Sequence, residues 1–345
     1  MSFPDALIHQ AEACEGLGSV FTGQLCRVIA AHITPDTALM RRLLDWPGDV
    51  SARGDSVPLR LAGALHGLVI EGIAPDLAAL YPPNPAPAND ALWQAVSTAL
   101  DMHQARINHW LDRPPQTNEI GRSACLIAAA HWLTARHDLP IVLSELGASA
   151  GMNLNWDHYA LQAGPTRLGP ADPALTLSPK WTGSAPAQAQ VRVAARRGTD
   201  LTPLDVSDPG DALRLQAYLW PDQPERLART RAALRLPPPP VDQGDAADWL
   251  ETRLAQPFEG HLHLIYHTIA WQYFPQHTVA RATKAIEAAG AAATDKAPLA
   301  WLRMESDGTP PGALMDLRLW PGDLHFELGR IDFHGRWVDW HVHQR

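Results

Sequence analysis

The stretch that decides the fold is Pro140-Ile-Val-Leu-Ser-Glu-Leu-Gly-Ala-Ser-Ala-Gly151. Residues 140–146 are apolar and rich in branched side chains, without alternation, which is typical of a strand buried on both faces of a parallel sheet. The next five residues are small, and segment 152–161 can be helical. A strand, a small-residue loop and a helix in this order form the first unit of a nucleotide-binding α/β fold.

Further strands of the same sheet are predicted downstream. The pattern places them at 190–196, immediately before Gly244, at 261–267 and at 298–305. A helix at 276–290 separates the last two. Alternating runs at 314–320, 324–328 and 336–340, divided by turn residues, predict a terminal antiparallel meander. Residues 160–190 are rich in Pro, Gly and Ala and predict an inserted loop region.

The first 112 residues have helical periodicity and almost no strand pattern. The apolar run at 58–73 indicates one of several helices, and the proline-rich segment 82–87 is a rigid connector. The prolines at 114 and 115 end the last helix of this part. We therefore predict an all-α N-terminal or cap domain at 1–115 and an α/β domain at 116–345.

Charge and cysteine content exclude several classes of protein. The formal net charge is −9, so the chain as a whole offers no basic surface for nucleic acid. No apolar run is long enough for a membrane span, and residues 1–15 do not resemble an export signal. The three cysteines form no C-x-x-C pair, which argues against a disulfide framework and a thiolate zinc site. We expect a cytoplasmic protein with a small-molecule substrate and no nucleic-acid or membrane partner, whose oligomeric state is open.

The loop at 147–151 favours one kind of ligand. Small residues let the backbone approach a ligand closely, and Glu145 can accept a hydrogen bond from a hydroxyl or an ammonium group. A phosphate site would need G-x-G-x-x-G or a P-loop lysine, and neither is present. S-adenosylmethionine, a cationic nucleoside, fits this loop better than a dinucleotide does. The alternative is a tight turn in which the small residues serve only packing.

Several strings of residues resemble those of a bacterial family. They are Gln116-Thr-Asn-Glu-Ile-Gly-Arg-Ser123, Glu145-Leu-Gly-Ala-Ser-Ala-Gly-Met-Asn-Leu-Asn-Trp-Asp157, Arg197-Gly-Thr-Asp-Leu-Thr-Pro-Leu-Asp205, Trp220-Pro-Asp-Gln-Pro-Glu-Arg-Leu227 and His334-Gly-Arg-Trp337. Through them the chain is similar to the bacterial "domain of unknown function 2332" family over nearly its whole length. That family carries no established activity. Its second half resembles class I S-adenosylmethionine-dependent methyltransferases, which implies a Rossmann-like sheet flanked by helices.

The methyltransferase resemblance implies a set of cofactor-binding residues. They are Glu145, Gly147, Ser149, Gly151, Asp200 and Asp245, with Ser149 at a position where glycine is usual. The acid that ends the second strand and holds the ribose is either Asp200 or Asp222. We favour Asp200, since an alternating strand precedes it, whereas Asp222 can cap the next helix. Asp245 either accepts the adenine amino group or caps a helix.

His267 is the candidate catalytic base. It lies where the fourth predicted strand ends, the position from which such folds present catalytic side chains; the alternative is a histidine that only packs. His261 and His263 share the strand face of His267. However, about 20 Å separates residues 261 and 267 at ~3.3 Å per residue, so no metal site is predicted.

Polar residues on either side of the loop are candidate substrate or lid residues. They are Gln116, Asn118, Glu119 and Arg122 before the first strand, Asn153 and Asp157 after the loop, and Glu305 at the end of the fifth strand. Segment 116–122 is unusually polar for a helix start and precedes the helix that leads into the first strand, so it can form a lid. The alternative is helix capping, with Glu119 and Arg122 paired three residues apart.

Two functions from different classes are consistent with these residues. The first is an S-adenosylmethionine-dependent methyltransferase that acts on a small molecule by in-line displacement, with His267 deprotonating the acceptor. The second is a Rossmann-like module that binds a nucleoside or a partner without catalysis. The second is favoured by Ser149 in place of glycine and by the lack of a catalytic dyad.

Overall fold

Amphipathic helices form most of the first 117 residues in the computed structural model, which describes all 345 residues. The helices of the chain are α1 (Phe3–Gly16), α2 (Val20–His32), α3 (Ala38–Leu44), α4 (Val57–Glu71), α5 (Pro75–Ala78), α6 (Asn89–Met102), α7 (Gln104–Leu111), α8 (Ser123–His137), α9 (Pro209–Ala217), α10 (Pro224–Ala233), α11 (Ala246–Arg253) and α12 (Gln276–Ala291). In α4, Leu61, Leu65 and Leu68 recur at helical spacing and are buried, so the helix turns an apolar stripe to the core.

Two compact units make up the chain. The helical unit comprises Met1–Thr117 and a returning segment, Asp208–Ala228, and the second unit comprises Asn118–Ser207 and Arg229–Arg345. Within the helical unit the buried side chain of Arg214 anchors α9, because it donates to the carbonyl oxygen of Arg113 at 2.9 Å. That residues 1–115 and 116–345 are separate domains stays a prediction.

A nine-stranded mixed sheet forms the centre of the second unit. The strands are β1 (Ile141–Leu146), β2 (Tyr159–Ala163), β3 (Thr166–Leu168), β4 (Leu175–Leu177), β5 (Lys180–Thr182), β6 (Val193–Asp200), β7 (Val241–Gln243), β8 (Leu262–Thr268), β9 (Leu299–Glu305), β10 (Ala313–Trp320), β11 (Leu324–Ile331) and β12 (Trp337–Gln344). The order across the sheet is β5-β12-β11-β10-β9-β8-β1-β6-β7. The predicted mixed α/β fold, with a sheet flanked by helices, is confirmed.

Five neighbouring strands of the sheet, β9, β8, β1, β6 and β7, are parallel, and β1 lies in the middle of them. β1 pairs with β6 on one side and with β8 on the other. All six residues of β1 are buried, as expected for a strand covered on both faces. Because parallel strands end at the same edge of a sheet, the carboxyl ends of β1, β6, β8 and β9 lie along one edge, where ligands bind in open α/β sheets.

The C-terminal meander is confirmed. β10 pairs antiparallel with β9 and β11, and β11 pairs antiparallel with β12. β5 pairs in parallel with β12 at the far edge. The turns between these strands lie at residues 321–323 and 332–336, and they contain the predicted turn residues 321–323 and 334–335.

The segment after the loop differs in two details from its prediction. The helix expected at 152–161 is a 3-10 helix, Met152–His158, followed by β2. The backbone of Asn155 leaves the helical region (φ −96°, ψ 15°) within this segment, and the Arg196 guanidinium donates to the Leu154 carbonyl oxygen at 2.9 Å. The inserted loop expected at 160–190 contains β2 to β5, and the first three form a small sheet of their own, in the order β3-β2-β4.

No helix of the chain is both long enough and apolar enough to cross a membrane.

Candidate functional site

Glu145 is a buried carboxyl group near the carboxyl end of the central strand. Glu145 is 2% exposed. In the pairing of β1 with β8 it lies opposite Tyr266. The Tyr266 hydroxyl lies 3.5 Å from Oε2 of Glu145, and at 3.1 Å it also contacts the carbonyl oxygen of Asn153. Burial, followed by the nearby Asp200 carboxylate, raises the pKa of Glu145 well above its usual value. A cation bound here would restore the charged form.

Three residues of the loop have left-handed backbone conformations. Gly147 has φ 68°, Ser149 has φ 52° and Gly151 has φ 71°. A Cβ at Gly147 would lie 2.6 Å from the Cβ of Ala270, and packing is equally tight around Gly151. Both the backbone conformation and the packing therefore require glycine at 147 and 151. The packing alternative from the sequence accounts for these two glycines without a ligand.

Asp200 ends β6, the second parallel strand, and holds the loop in place. Its Oδ2 accepts the backbone N–H of Ser149 at 2.8 Å, and its Oδ1 accepts that of Thr202 at 2.9 Å. The carboxylate is half-buried, so lone pairs remain for a ligand hydroxyl. Asp222, the other candidate, belongs to the helical unit, where it accepts the N–H of Phe21 at 2.8 Å at the start of α2.

The Ser149 hydroxyl is a buried polar group without a partner. Ser149 is 6% exposed, and its Oγ makes no hydrogen bond. A buried hydroxyl is rarely left unpaired. This oxygen is therefore the part of the loop that is best suited to contact a bound molecule.

We expect Ser149→Gly to raise the free energy of unfolding by about 1–2 kcal/mol, because it removes both a left-handed non-glycine residue and an unpaired buried hydroxyl, less the added flexibility of glycine. Ser149→Ala removes only the hydroxyl and should give a smaller gain. Urea denaturation of the three proteins measures both effects. A loss of stability in Ser149→Ala would contradict the view that this hydroxyl is unpaired.

Asp245 acts as a helix cap. Its Oδ1 accepts the backbone N–H of Ala247 at 2.9 Å, and its Oδ2 accepts the Thr278 hydroxyl at 2.7 Å. Burial alone would raise the pKa of Asp245, but these hydrogen bonds hold it below its usual value. Both oxygens are engaged, so the capping alternative accounts for this residue, and a role at the adenine stays a prediction.

The polar segment before α8 clamps parts of the second unit together. Asn118 accepts the backbone N–H of Met152 at 2.6 Å, directly after the loop. Arg122 donates to the carbonyl oxygen of Thr268 at 2.9 Å and to that of Phe333 at 3.1 Å. It thereby ties the end of β8 to the turn before β12. These contacts anchor residues 118–122, whereas Gln116 belongs to the helical unit, and the lid role stays a prediction.

The backbones of residues 116–123 and 334–337, two of the segments that resemble the bacterial family, lie very close to each other. A Cβ at Gly121 would lie 2.2 Å from the carbonyl oxygen of His334, and one at Gly335 would lie 2.3 Å from the carbonyl oxygen of Gly121. Gly335 also has φ 71°. Glycine is therefore required at both positions for packing. Glu119 adds to the same turn by accepting the N–H of Gly121 at 3.0 Å.

Asn153 and Asp157 are engaged within the protein. Asn153 accepts the Ser123 hydroxyl at 2.6 Å and donates to the carbonyl oxygen of Glu119 at 3.3 Å. Asp157 forms a two-point ion pair with Arg196, at 2.7 and 2.8 Å. Both side chains join the segment after the loop to its neighbours, and their predicted contact with substrate stays a prediction.

His267 has no free ring nitrogen. It is fully buried, its Nδ1 donates to Oε1 of Glu305 at 2.7 Å, and its Nε2 accepts the indole N–H of Trp301 at 3.2 Å. Both ring nitrogens are therefore engaged within the protein. A general base needs a nitrogen within reach of the substrate proton. We therefore do not carry the base role of His267 into the proposal below.

Glu305 has one crowded oxygen and one unpartnered oxygen. Besides His267, its Oε1 accepts the backbone N–H groups of Ala270 at 3.0 Å and Trp271 at 3.2 Å, while the buried Oε2 has no partner. The left-handed conformation of Ile269, with φ 52°, leads into the turn that presents these amides. Burial alone would raise the pKa of Glu305, but the hydrogen bond from His267 and the two amides hold it below its usual value.

Tyr266 and Trp301 were missed in the sequence, although they contact Glu145 and His267. Both occupy apolar strands in which an aromatic residue is expected for packing alone, and only the strand register shows their partners. His263, weighed as a metal ligand, hydrogen-bonds Ser144 at 2.8 Å. No three His, Cys, Asp or Glu side chains lie together in a way that could hold a metal ion.

Comparison with known proteins identifies a family rather than an activity. Residues 4–340 match the family described as "Uncharacterized protein conserved in bacteria (DUF2332)". Among curated proteins, none has a sequence that matches the chain.

Proposed function

Because the chain belongs to this family of uncharacterized bacterial proteins, we propose its function from the site itself: it binds S-adenosylmethionine and transfers the methyl group to a small molecule. The observation that carries the proposal is Glu145. A carboxyl group at the end of the central strand is buried, lacks a cationic partner within hydrogen-bonding distance and has a raised pKa. A cationic ligand gains most at such a group.

The topology supports a Rossmann-like, class I methyltransferase-like interpretation of the sheet. In chain order the five parallel strands lie as third, second, first, fourth and fifth across the sheet, which is the order of the doubly wound nucleotide-binding fold. The order in which the strands are added reverses between β1 and β8, and Glu145 and Tyr266 lie on these two strands. The segment between β1 and β6 departs from this fold, since a 3-10 helix and a small sheet replace the usual helix.

The residues at the loop fit the cofactor. Glu145 offers a carboxyl group for its positive charge, the unpartnered Ser149 Oγ offers a donor and acceptor, and half-buried Asp200 offers lone pairs to ribose hydroxyls. S-adenosylmethionine supplies an electrophilic methyl group when it is bound.

Glu145 would supply a negative charge for the ligand, and Asp200 would keep the loop in position. Glu145 loses its proton when a cation binds, because the ionised form then gains a partner. Asp200 keeps the loop rigid through the N–H of Ser149. The buried surroundings of Glu145 exclude water and strengthen its electrostatic interactions. Orientation of two reactants in a fixed site accounts for much of the rate of such reactions.

We expect S-adenosylmethionine and S-adenosylhomocysteine to raise the melting temperature, because a ligand at a hundred times its Kd stabilises the folded state by about 2.7 kcal/mol. Thermal-shift titration measures this, with NAD and ATP as control ligands. Asp200→Asn should reduce the shift, because the amide holds the loop N–H less firmly and carries no charge. An equal shift with NAD or ATP, or none with the two S-adenosyl compounds, would end the cofactor proposal.

A second candidate function is a binding module without catalysis. The contacts of His267 favour it. Both ring nitrogens have partners within the protein, so neither is free to take a proton from the molecule that would be methylated. Such a module would bind the S-adenosyl compounds with no transfer of label from methyl-labelled cofactor to any acceptor. The two candidates share the Glu145 site and differ in turnover.

A further inference from the structure

A cleft with a volume of about 190 Å³ lies beside Glu305 in the second unit. Its wall includes His267, Trp271 and Arg303, and the far side is formed by Asp307, Leu314 and Asp316. A bulk water molecule takes up about 30 Å³, so the cleft has room for a group the size of about six waters. It opens at the carboxyl end of β9.

Two of the three carboxylates that line the cleft form ion pairs with an arginine. Arg303 pairs with Asp316 at 2.6 Å, and Asp307 pairs with Arg330 at 2.9 Å. Among ionisable side chains, Glu305 contacts only His267, through Oε1 at 2.7 Å. It is therefore the one carboxylate of the cleft without an arginine partner.

Only one of the two oxygens of the Glu305 carboxylate is hydrogen-bonded within the protein. Three donors converge on Oε1 and fix the group, whereas the buried Oε2 has none. An unpaired carboxylate oxygen that is closed off from water is costly. The Glu305 side chain keeps 16% exposure and lines the cleft, so the carboxylate group borders the space that a donor would enter.

Trp271 gives the cleft an aromatic wall. Its ring stacks on His267, with the ring centroids 4.5 Å apart, and the residue is half-buried. An indole face attracts cations, and the attraction is larger where water is partly excluded. A carboxylate and an indole together select an organic cation over a neutral or anionic group.

We propose that this cleft is a binding site for a small organic cation with N–H donors, an alkylammonium or a guanidinium group, held by the free oxygen of Glu305 and the ring of Trp271. The site itself does not depend on S-adenosylmethionine. Only the identification of this cation as the methyl acceptor rests on the proposed function.

The test is a ligand-observed NMR titration of the full chain with n-butylammonium and n-butylguanidinium, using n-butanol as the neutral probe of similar size. The cations should bind the wild type at least about 10-fold more tightly than n-butanol does, since a charge-assisted hydrogen bond gives that difference. No saturable binding of either cation, or equal binding of n-butanol, overturns the proposal. This comparison needs no variant.

Glu305→Gln is the matched substitution, because the amide oxygen can still accept from His267 and the two backbone amides while the charge is lost. Cation binding should fall about 10-fold to 100-fold, whereas Glu259→Gln, the same change at an exposed carboxylate, should leave it unchanged. Trp271→Leu keeps the carboxylate and should weaken the cations more than n-butanol. Unchanged cation binding in Glu305→Gln overturns the proposal.

Titration of the same proteins with S-adenosylmethionine separates this inference from the proposed function. Wild type that binds the cations but not S-adenosylmethionine supports the cleft and refutes the cofactor. Wild type that binds S-adenosylmethionine but neither cation refutes the cleft and leaves the cofactor proposal standing.

Discussion

Glu145→Gln is expected to weaken S-adenosylmethionine binding by about 100-fold and, at neutral pH, to raise the free energy of unfolding. The loss of affinity follows from removing a buried charge partner, which costs about 2–5 kcal/mol. The gain in stability follows from the raised pKa of Glu145, because a buried carboxyl group is disfavoured in its charged form and Gln resembles its neutral form. Opposite changes in affinity and stability are the signature of this role.

The pH dependence of Glu145 gives the same prediction a second readout. Its folded pKa lies above the unfolded value, so its contribution to stability is fully present below the unfolded pKa and is lost as pH rises through the folded pKa. The stability advantage of Glu145→Gln should therefore be absent below the usual glutamate value of 4.5 and grow above it, by about 1.4 kcal/mol for each unit of separation between the two pKa values.

Urea denaturation between pH 4 and pH 8, together with calorimetric titration of S-adenosylmethionine, measures both effects. Glu259→Gln serves as the control, since that carboxylate is exposed and should change neither quantity. A variant that binds the cofactor as tightly as the wild type would show that Glu145 does not hold it. A stability difference independent of pH would show that folding does not raise the pKa of Glu145.

The second large effect is expected for Gly151→Ala, which should lower the free energy of unfolding by about 2–5 kcal/mol. Gly151 has φ 71°, and an added Cβ would lie 2.6 Å from Cγ of Pro239 and 2.8 Å from Cγ2 of Val241. The left-handed backbone accounts for about 1–2 kcal/mol and overpacking for about 1–3 kcal/mol. Cofactor binding should fall with it, because the loop must shift.

Gly16→Ala is the matched control for Gly151→Ala. Gly16 is the last residue of α1, it has a helical backbone, and no atom lies within 4 Å of an added Cβ. Alanine there should raise the free energy of unfolding by about 0.5–1 kcal/mol. Chemical denaturation of both variants gives the comparison. Equal stability of Gly151→Ala and the wild type would mean that this part of the loop adapts, contrary to the tight packing around it.

Much of the main sheet could be predicted from local patterns. The largely apolar, non-alternating run at 140–146 contains the central strand, and the alternating runs after residue 313 form the meander, because burial on both faces or on one face leaves a direct trace in residue order. The segment at 152–190 could not be predicted in this way. Its 3-10 helix contacts Arg196, 42 residues from Leu154 in the sequence, and no local pattern indicates that contact.

The candidate site was predicted only as a set of strand ends. The sequence pointed to residues 145, 200, 267 and 305, but it could not show which of their polar atoms are already paired. The structure shows that Trp301 donates to the second nitrogen of His267 and that the second oxygen of Glu305 is unpartnered. Both facts depend on the register between β8 and β9, which no local pattern encodes.

By itself the sequence determined that an acidic strand end leads into a small-residue loop within a mixed α/β sheet, because periodicity and residue size report burial and backbone freedom directly. Only the tertiary structure decided what each acid does. Asp200 holds the loop, Asp245 caps α11, and Glu145 and Glu305 have no arginine or lysine within ion-pair distance. The physical reason is that charge and hydrogen bonding are satisfied across strands, between residues that are distant in the sequence.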